Sequence, residues 1–347
     1  MIQATASLRT ATRADLLPVG EALGLSPSAL APALVQPDAR VLIGAEGQVV
    51  LLRRRWTEAA TAEAVVVRRT GVPLDHPDVL AAAAAWGCDR VRHLANDRCV
   101  PVPAPAEGTS PALRFLHLAA RAATRVEAAV ALAGDGAEAD GAAHAAVVGV
   151  LDVLGVPVLS EEDADRAVPD GLPWIVIDPL DGTGNDQAGL PPWAFSAALV
   201  RDGRPVAGLV CDLSSGRRWT AVEGCGAERD GVRVRPRAGS TVVVPSAPQG
   251  GTVGVPGAAR RVRITGCTAV DLCLVADGAA SAWHDLDRSG TFVHDVAGGL
   301  AVLLAAGGAA LTADGSPVVL EPDTAGRIRL VAAADEPTAR ALLDAVG

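Results

Sequence analysis

An apolar run that ends in two aspartates is the part of the sequence best suited to chemistry. Residues 174–177 form the run, and Asp178 and Asp181 follow it, ahead of Gly182 and Thr183. The pattern predicts a short buried strand that enters a turn. Two carboxylates at a strand end suit a hard divalent cation such as Mg²⁺, which prefers oxygen ligands. Gly182 lets a bound group approach the backbone, and a helix beginning there would offer N–H groups to a phosphate, so the segment indicates metal-assisted phosphoester hydrolysis.

A surface turn is the alternative interpretation of this segment, because Asp-Pro and Asp-Gly pairs are ordinary turn formers. Two other acidic segments favour the functional interpretation. Glu161 and Glu162 follow an apolar run at residues 158–159, and Asp295 begins an apolar helical stretch that is closed by a Gly-Gly pair at residues 307–308. Three such segments in one chain favour a site over a simple turn.

In this order and spacing, the three acidic segments resemble the motifs of the inositol monophosphatase family, a family of Mg²⁺-dependent, lithium-sensitive phosphatases. The family pattern is a strand ending in Gly-Glu-Glu, then W-I-x-D-P-[IL]-D-G-T, then W-D-x-A-[AG]-G before a Gly-Gly pair. The resemblance covers roughly residues 110–345. It implies an α+β fold, a layered αβαβα sandwich of the inositol monophosphatase and fructose-1,6-bisphosphatase type.

The resemblance also implies a set of metal ligands in this chain. Glu161 would bind one Mg²⁺ ion, Asp178 would bridge two ions, and Leu180 would offer its main-chain carbonyl oxygen. Asp181 and Asp295 would hold the second ion. Two cations placed in this way activate a water molecule on one side of a phosphate and neutralise the leaving oxygen on the other.

Further roles around these ligands follow from the same resemblance. Thr183 would help Glu161 to position the attacking water, so Glu161, Asp178 and Thr183 form the expected catalytic set. Asp140 lies where the family has an aspartate at a weaker third metal site, and a helix N-cap is the alternative for this residue. His294 replaces a common tryptophan, and a place in the core or behind the ligands is preferred to metal ligation.

Substrate contacts are expected from the turn after the buried strand, from a second turn and from one loop. The expected residues are Asp181, Gly182, Thr183, Gly266, Cys267, Thr268 and Asp287. Thr268 also fits a helix N-cap, which leaves two interpretations open. Residues 284–290 form a longer segment than the family counterpart, which usually carries a substrate-binding acid, and Asp287 is the candidate for that acid.

The residues after Thr183 bear on the substrate class. Family members that act on inositol phosphates commonly continue with Thr-Asn-Phe, and the 3′-phosphonucleotide branch often has a lysine. This chain continues with Gly184, Asn185 and Asp186. The carboxylate of Asp186 disfavours a second phosphate but suits a hydroxyl or an amino group. We therefore expect a sugar, cyclitol or aminocyclitol monophosphate as substrate, with the nucleotide or histidinol-phosphate branch, or a non-catalytic binding protein, as alternatives.

Composition and charge exclude several other classes of protein. The chain of 347 residues has 40 acidic and 30 basic residues and a formal net charge of −10, which argues against a nucleic-acid-binding surface. It contains no lysine, which excludes Schiff-base chemistry. Its 6 cysteines lack C-x-x-C spacing, so a zinc site is not expected and the cysteines suit a reducing compartment.

No signal peptide or membrane span is expected from the sequence. Residues 1–20 have no continuous apolar segment, and the uncharged residues 296–313 fit a core helix and strand better than a membrane span. We expect a cytoplasmic protein without membrane contact, and the family resemblance implies a homodimer.

A proline-rich segment at residues 101–111 is the predicted linker between two domains. Residues 1–100 are predicted to form a small α+β accessory domain, with a hairpin within residues 40–54 and a helix at residues 77–86. Its first residues faintly resemble acetyltransferase-type domains but lack their glycine-rich cofactor loop, so it is not expected to be catalytic. Residues 112–347 are the predicted catalytic domain, and its second helix is expected at residues 142–154. Few contacts are expected to cross the linker.

Overall fold

The computed structural model describes residues 7–23, 31–34, 36, 38–45, 47–56, 62–70, 72–96, 98–133, 136–163, 168–169, 171–245, 259–286 and 290–346. Their strands form a six-stranded, a seven-stranded and a five-stranded sheet and one short pair. Asp287, one of the expected substrate contacts, lies outside the described residues.

The six-stranded sheet is built from the first hundred residues, in the order β1-β2-β3-β4-β5-β6. Its strands are Leu8–Thr10 (β1), Ala39–Gly44 (β2), Val49–Trp56 (β3), Ala62–Thr70 (β4), Arg90–His93 (β5) and Cys99–Pro101 (β6). Helices Leu16–Leu23 (α1) and Pro77–Ala85 (α2) belong to the same unit. Strand β3 begins with four consecutive apolar residues because both of its faces are buried: Val50 and Leu52 enter one core, Val49 and Leu51 the other.

The seven-stranded sheet has the order β13-β12-β11-β10-β9-β8-β7, and two of the three acidic segments lie at the ends of its last two strands. Its strands are Val158–Ser160 (β7), Trp174–Asp181 (β8), Ala194–Arg201 (β9), Arg204–Asp212 (β10), Arg217–Val222 (β11), Gly226–Arg229 (β12) and Val232–Arg233 (β13). Strand β8 pairs parallel with β7 and antiparallel with β9. Its apolar side chains alternate between two cores, Trp174 and Val176 on one face and Ile175 and Ile177 on the other.

Two pairs of helices cover the two faces of this sheet. Pro111–Leu132 (α3) and Gly136–Leu151 (α4) pack on one face, and Thr268–Ala276 (α6) and Val293–Ala306 (α7) pack on the other. The short helix Thr183–Ala188 (α5) follows β8. Helix α7 approaches the sheet so closely that a Cβ atom at Gly298 would lie 2.3 Å from the Ser196 hydroxyl oxygen. Only glycine fits this contact.

The five-stranded sheet lies beyond α6 and α7 and completes the layers. Its strands are Thr241–Val244 (β14), Arg261–Ile264 (β15), Ala282–His284 (β16), Ala309–Thr312 (β18) and Leu330–Ala333 (β20), and the short pair is Thr291–Phe292 (β17) with Arg327–Ile328 (β19). Helix Glu336–Val346 (α8) packs on the far face, where Ala339 and Leu342 share a core with Val331. The order helix, sheet, helix, sheet, helix confirms the predicted αβαβα sandwich.

The first unit contacts the layered sandwich through buried charges. The Arg54 guanidinium pairs with the Glu127 carboxylate on α3, which also lies 3.3 Å from Arg218 of β11. The Thr124 hydroxyl donates a hydrogen bond of 2.8 Å to the carbonyl oxygen of Trp86. These contacts join residues that are far apart in the sequence, and the domain boundary at residues 101–111 stays a prediction.

One expected element has different bounds in the structure, and another agrees with its prediction. The second helix after the linker was expected from residue 142 to residue 154, but α4 begins at Gly136 and ends at Leu151, before a 3₁₀ turn. Residues 296–313 divide into α7 and β18, as predicted. In the part of the chain that the structure describes, no helix combines the length and the apolar character needed to cross a membrane.

Candidate metal and phosphate site

Three aspartates meet where β8 ends and α7 begins. One carboxylate oxygen each of Asp178, Asp181 and Asp295 lies within 4.8 Å of the other two. Residues three apart on a regular strand face opposite sides, but the pairing of β8 with β9 shifts between Asp178 and Asp181. Two residues of β8, Pro179 and Leu180, there oppose the single residue Phe195 of β9, and this irregularity lets both carboxylates enter the same site.

Hydrogen bonds hold one oxygen of each carboxylate in place. Asp178 Oδ1 accepts a hydrogen bond of 3.0 Å from the Leu180 N–H. Asp181 Oδ2 accepts hydrogen bonds from the Ala269 N–H at 2.6 Å and from the Cys267 thiol at 3.2 Å. Asp295 Oδ2 accepts hydrogen bonds from the Thr291 hydroxyl at 2.8 Å and from the Phe292 N–H at 3.2 Å. Within the described residues, the second oxygen of each carboxylate accepts no hydrogen bond. These second oxygens are therefore available to a ligand.

The electrostatics of this cluster favour a bound cation. Burial, followed by the charges of neighbouring carboxylates, raises the pKa of Asp178 well above its ordinary value and that of Asp181 to about 7. No arginine of the described segments forms an ion pair with either aspartate. Buried carboxylates without a counter-charge are costly, and a divalent cation with oxygen ligands removes that cost. The donor set fits Mg²⁺.

Glu161 lies beside this cluster rather than within it. It follows β7, its side chain is half exposed, and its carboxylate lies 3.9 Å from Nε2 of His294. The same Nε2 atom is 3.5 Å from Asp295 Oδ1. His294 is buried and stacks on Phe292, with ring centroids 5.1 Å apart. Burial, then the charges of Asp295, Glu162 and Asp140, raises the pKa of Glu161 to about 7, so this carboxylate belongs to the same electrostatic group.

The Thr183 hydroxyl connects the turn after β8 to helix α4. Its Oγ1 atom lies 3.1 Å from Asp140 Oδ1 and 3.1 Å from the carbonyl oxygen of Leu180. Asp140 is the fifth residue of α4, so the N-cap interpretation of Asp140 was wrong. The error followed from starting the helix too late, at residue 142. Burial raises the pKa of Asp140, and the charges of Glu162 and Asp186 act in the same direction.

Gly182 makes the sharp turn from β8 into α5. It has a φ of +88°, and a Cβ atom there would lie 3.2 Å from the Pro192 carbonyl oxygen and 3.3 Å from that of Gly266. Asn185 reinforces this contact, because its Nδ2 donates to the carbonyl oxygens of Pro192 and Thr265, both at 2.7 Å. The sequence indicated no role for Asn185, which matches the asparagine of the family pattern. Its contacts join a segment 7 residues away, at Pro192, to one 80 residues away, at Thr265.

The second turn brings Gly266, Cys267 and Thr268 against Asp181. Cys267 is the N-cap of α6 and Thr268 is the first residue of the helix, so the N-cap interpretation of Thr268 was wrong by one position. Both side chains are buried. Burial raises the pKa of the Cys267 thiol well above its ordinary value, so the thiol keeps its proton and donates a hydrogen bond to Asp181. The sequence showed that Cys267 was unusual, but it did not show this contact with a carboxylate.

Comparisons with known proteins agree with this geometry. The model of the inositol monophosphatase family matches residues 135–346. The chain is 31% identical over 197 residues to a fructose-1,6-bisphosphatase/inositol-1-monophosphatase of Thermococcus kodakarensis, covering 56% of this chain and 75% of that protein. It is 35% identical over 190 residues to a probable inositol 1-monophosphatase, ImpA, of Mycobacterium tuberculosis, covering 49% and 68%.

A solved structure of inositol monophosphatase from Anabaena (Nostoc) superposes with a TM-score of 0.58 at 25% identity, covering 68% of this chain and 98% of that one. The family match begins at residue 135, so the six-stranded sheet lies outside the matched residues. The matched residues contain the whole three-aspartate cluster. The chain therefore belongs to the inositol monophosphatase family of phosphoric monoester hydrolases.

Proposed function

We propose that this protein is a Mg²⁺-dependent phosphomonoesterase that hydrolyses a small sugar, cyclitol or aminocyclitol monophosphate. The observation that carries the proposal is the cluster of Asp178, Asp181 and Asp295, whose oxygens lie within 4.8 Å of one another. Family membership supports phosphatase activity. The metal requirement and the substrate class are inferred from the residues of the site.

The ligand set proposed for two cations combines this cluster with its neighbours. Asp178 would be shared, Asp181 and Asp295 would hold one ion, and Glu161 with the Leu180 carbonyl oxygen would hold the other. Asp140 is the proposed ligand of a third ion. When bound, such ions activate water and neutralise the charge that develops on the leaving oxygen.

The protein's own groups would bind and orient the substrate. Gly182 and Thr183, where β8 turns into α5, would offer backbone N–H groups to the phosphate, and Gly266 and Cys267 lie against this turn. Thr268, the next residue, is a further proposed substrate contact. The Thr183 hydroxyl, fixed at 3.1 Å from two oxygens, would orient the attacking water together with Glu161. A preorganised group of this kind avoids the cost of ordering it during the reaction.

Charge near the site supports a neutral or amino-bearing polyol rather than a bisphosphate. Burial first, and then the charges of Glu162 and Asp186, raise the pKa of Asp140, so Asp186 lies close to this site. The chain has no lysine with which to bind a second phosphate. Carboxylates disfavour a second phosphate group but accept hydrogen bonds from hydroxyl or ammonium groups. A homodimer, a cytoplasmic location and an accessory role for the first unit stay predictions.

A phosphate-release screen with the full chain tests the proposal. The panel contains a hexose monophosphate, inositol 1-phosphate, an aminocyclitol phosphate, histidinol phosphate, a 3′-phosphonucleotide and fructose 1,6-bisphosphate, each with Mg²⁺. We expect a polyol or aminopolyol monophosphate to give the highest kcat/KM. A higher kcat/KM for the nucleotide or the bisphosphate would reject the substrate class. Release from no compound, by a folded protein, would favour the non-catalytic alternative.

A further inference from the structure

A cavity lies between the first unit and the seven-stranded sheet, away from the aspartate cluster. Its volume is about 420 Å³. The first unit contributes Thr10, Thr12 and Arg40 to its wall, and the sheet contributes Arg217, Arg229 and Asp230. A cavity of this volume is within the range of sites that bind small organic molecules and is far larger than one water molecule.

Arg40 is the feature of this cavity that calls for a ligand. The residue is only 6% exposed, and its Nε atom has no hydrogen-bond partner among the residues that the structure describes. Its Nη1 atom makes one long hydrogen bond, 3.4 Å, to the Ala82 carbonyl oxygen, and the guanidinium lies 4.8 Å from the centre of the Trp86 ring. Burial lowers the pKa of Arg40 to about 10, so the group stays charged at neutral pH. A buried guanidinium normally has a carboxylate or phosphate partner.

The other charged groups of the wall leave a net positive face. Arg229 already pairs with Asp277 at 2.5 Å. Asp230 accepts a hydrogen bond of 3.0 Å from the Arg218 N–H, and burial raises the pKa of Asp230. Arg217 is exposed and forms no ion pair within the described part of the chain. Arg40 and Arg217 therefore offer two guanidinium groups against the single carboxylate of Asp230.

We propose that this cavity binds a small organic anion, with its carboxylate or phosphate group on Arg40 and Arg217 and its polar groups on Thr10 and Thr12. Guanidinium groups bind both kinds of oxyanion through paired N–H donors. The site is separate from the aspartate cluster, because Arg217 lies on β11 and Asp178 lies on β8, three strands away. Neighbouring strands are about 4.8 Å apart, so the two sites are on the order of 15 Å apart across the sheet. A ligand here would contact both units of the protein.

Binding to the full chain tests this inference directly. The protein is kept in excess EDTA, so that the aspartate cluster cannot hold an anion through a metal ion. Isothermal titration calorimetry is run with three probes: inorganic phosphate, succinate and 3-phosphoglycerate. The first two probes distinguish a phosphate site from a carboxylate site, and the third carries both groups on a small organic body.

Variants locate the bound probe. We expect at least one probe to bind with a stoichiometry of one, and Arg217→Gln to weaken that binding by about tenfold or more, since one charged hydrogen-bond donor is lost. Arg204→Gln, a control on the neighbouring strand β10 that does not line the cavity, should change the Kd by less than about twofold. Arg40→Gln should abolish binding if circular dichroism shows that it folds. If it does not fold, Thr10→Val takes its place and should weaken binding.

Two results would overturn the inference. The first is that none of the three probes binds to the wild-type chain. The second is that a probe binds with the same Kd to wild type and to Arg217→Gln, which would place it elsewhere on the protein.

Discussion

Hydrogen bonds to one oxygen of each aspartate hold three carboxylates closer together than their charges favour. Asp178 is the most buried of the three at 2% exposure, and its pKa is raised by burial first and by Asp181 and Asp295 next. The backbone N–H of Leu180 opposes this effect but does not cancel it. Sites that bind divalent cations show this pattern, since the cation supplies the missing positive charge.

Proton competition should make Mg²⁺ binding depend on pH. The pKa of Glu161 is raised to about 7, by burial first and then by Asp295, so below that pH this carboxylate is protonated in the metal-free protein. Because Mg²⁺ binds the deprotonated form, the apparent Kd should increase as pH falls, by up to about tenfold per pH unit for each proton displaced. Calorimetric titration with Mg²⁺ at about pH 8 and about pH 6 measures this change. Equal affinity at the two pH values would contradict the proposed role of these carboxylates.

The Thr183 hydroxyl should matter more for turnover than for stability. Thr183→Val keeps the shape of the side chain but removes the group that contacts Asp140 and Leu180. We expect kcat to fall by about 10²-fold, the lower end of the range for losing a group that acts on the attacking water. Thr183→Ser, which keeps the hydroxyl, is the control and should retain most activity. A valine variant as active as the serine variant would show that the hydroxyl has no catalytic role.

At the scale of single residues, the sequence predicted the clustered carboxylates better than the groups that hold them in place. Asp178, Asp181 and Asp295 could be found because carboxylates beside apolar runs form a recognisable pattern. His144 Nδ1 and Ser160 Oγ share a hydrogen bond of 2.9 Å that joins α4 to β7, and no pattern in the sequence indicated it. The contact of Cys267 with Asp181 joins residues that are 86 positions apart. Contacts of this kind depend on the packing of elements, which a local pattern does not contain.

The connection from β8 to α5 is the element that shapes the site. Gly182→Ala would place a Cβ atom at 3.2 Å from a carbonyl oxygen and would force alanine into the left-handed region of φ. We expect a loss of about 1–2 kcal/mol of unfolding free energy, together with a loss of turnover. Gly184→Ala is the matched control, because Gly184 lies two residues further on, inside α5, with nothing within 4 Å of its added Cβ. Urea unfolding of both variants gives the comparison, and equal stability would contradict the account of this turn.

Element boundaries near the site show where pattern reasoning failed. Residues 134–141 contain three glycines and three acids, which is typical of a turn, and α4 was therefore expected to begin after them. The helix begins at Gly136 because its later residues, Ala143 and Val147, are buried against the sheet and α3. Tertiary packing outweighed local propensity. This difference of six residues determined whether Asp140 was interpreted as a cap or as part of the site.

At the scale of the whole molecule, buried charges couple the first unit to the layered sandwich. Glu127→Gln removes the carboxylate that pairs with Arg54 and Arg218, whose side chains are 7% and 1% exposed. Two buried guanidinium groups would then lack their shared partner, and we expect a loss of about 3–5 kcal/mol of unfolding free energy. Glu223→Gln breaks the exposed pair with Arg204 and should cost less than about 1 kcal/mol. Similar losses in the two variants would contradict a structural role for this interface.

The overall architecture followed from the sequence only where a family pattern was present. The sandwich was predicted from three motifs, because these motifs occur at fixed places in one layered fold. The six-stranded sheet could be predicted only as a small α+β unit, from alternating strands and a helix. Its docking onto α3 and β11 through Arg54, Glu127 and Arg218 had no sequence signal, because isolated charged residues are usually solvated.

Phosphate release during a Mg²⁺ titration tests the central claim most directly. The full chain is first stripped with EDTA, and Mg²⁺ is then added back to wild type, to Asp178→Asn and to the exposed control Asp202→Asn, whose turn conformation asparagine tolerates. Wild type and the control should be inactive in EDTA and recover with saturable dependence on Mg²⁺. Asp178→Asn should stay at least ~10³-fold lower in kcat, the equivalent of about 4 kcal/mol of lost transition-state stabilisation. Full turnover of wild type in excess EDTA, or near-wild-type activity of Asp178→Asn, would contradict the metal site and with it the proposed function.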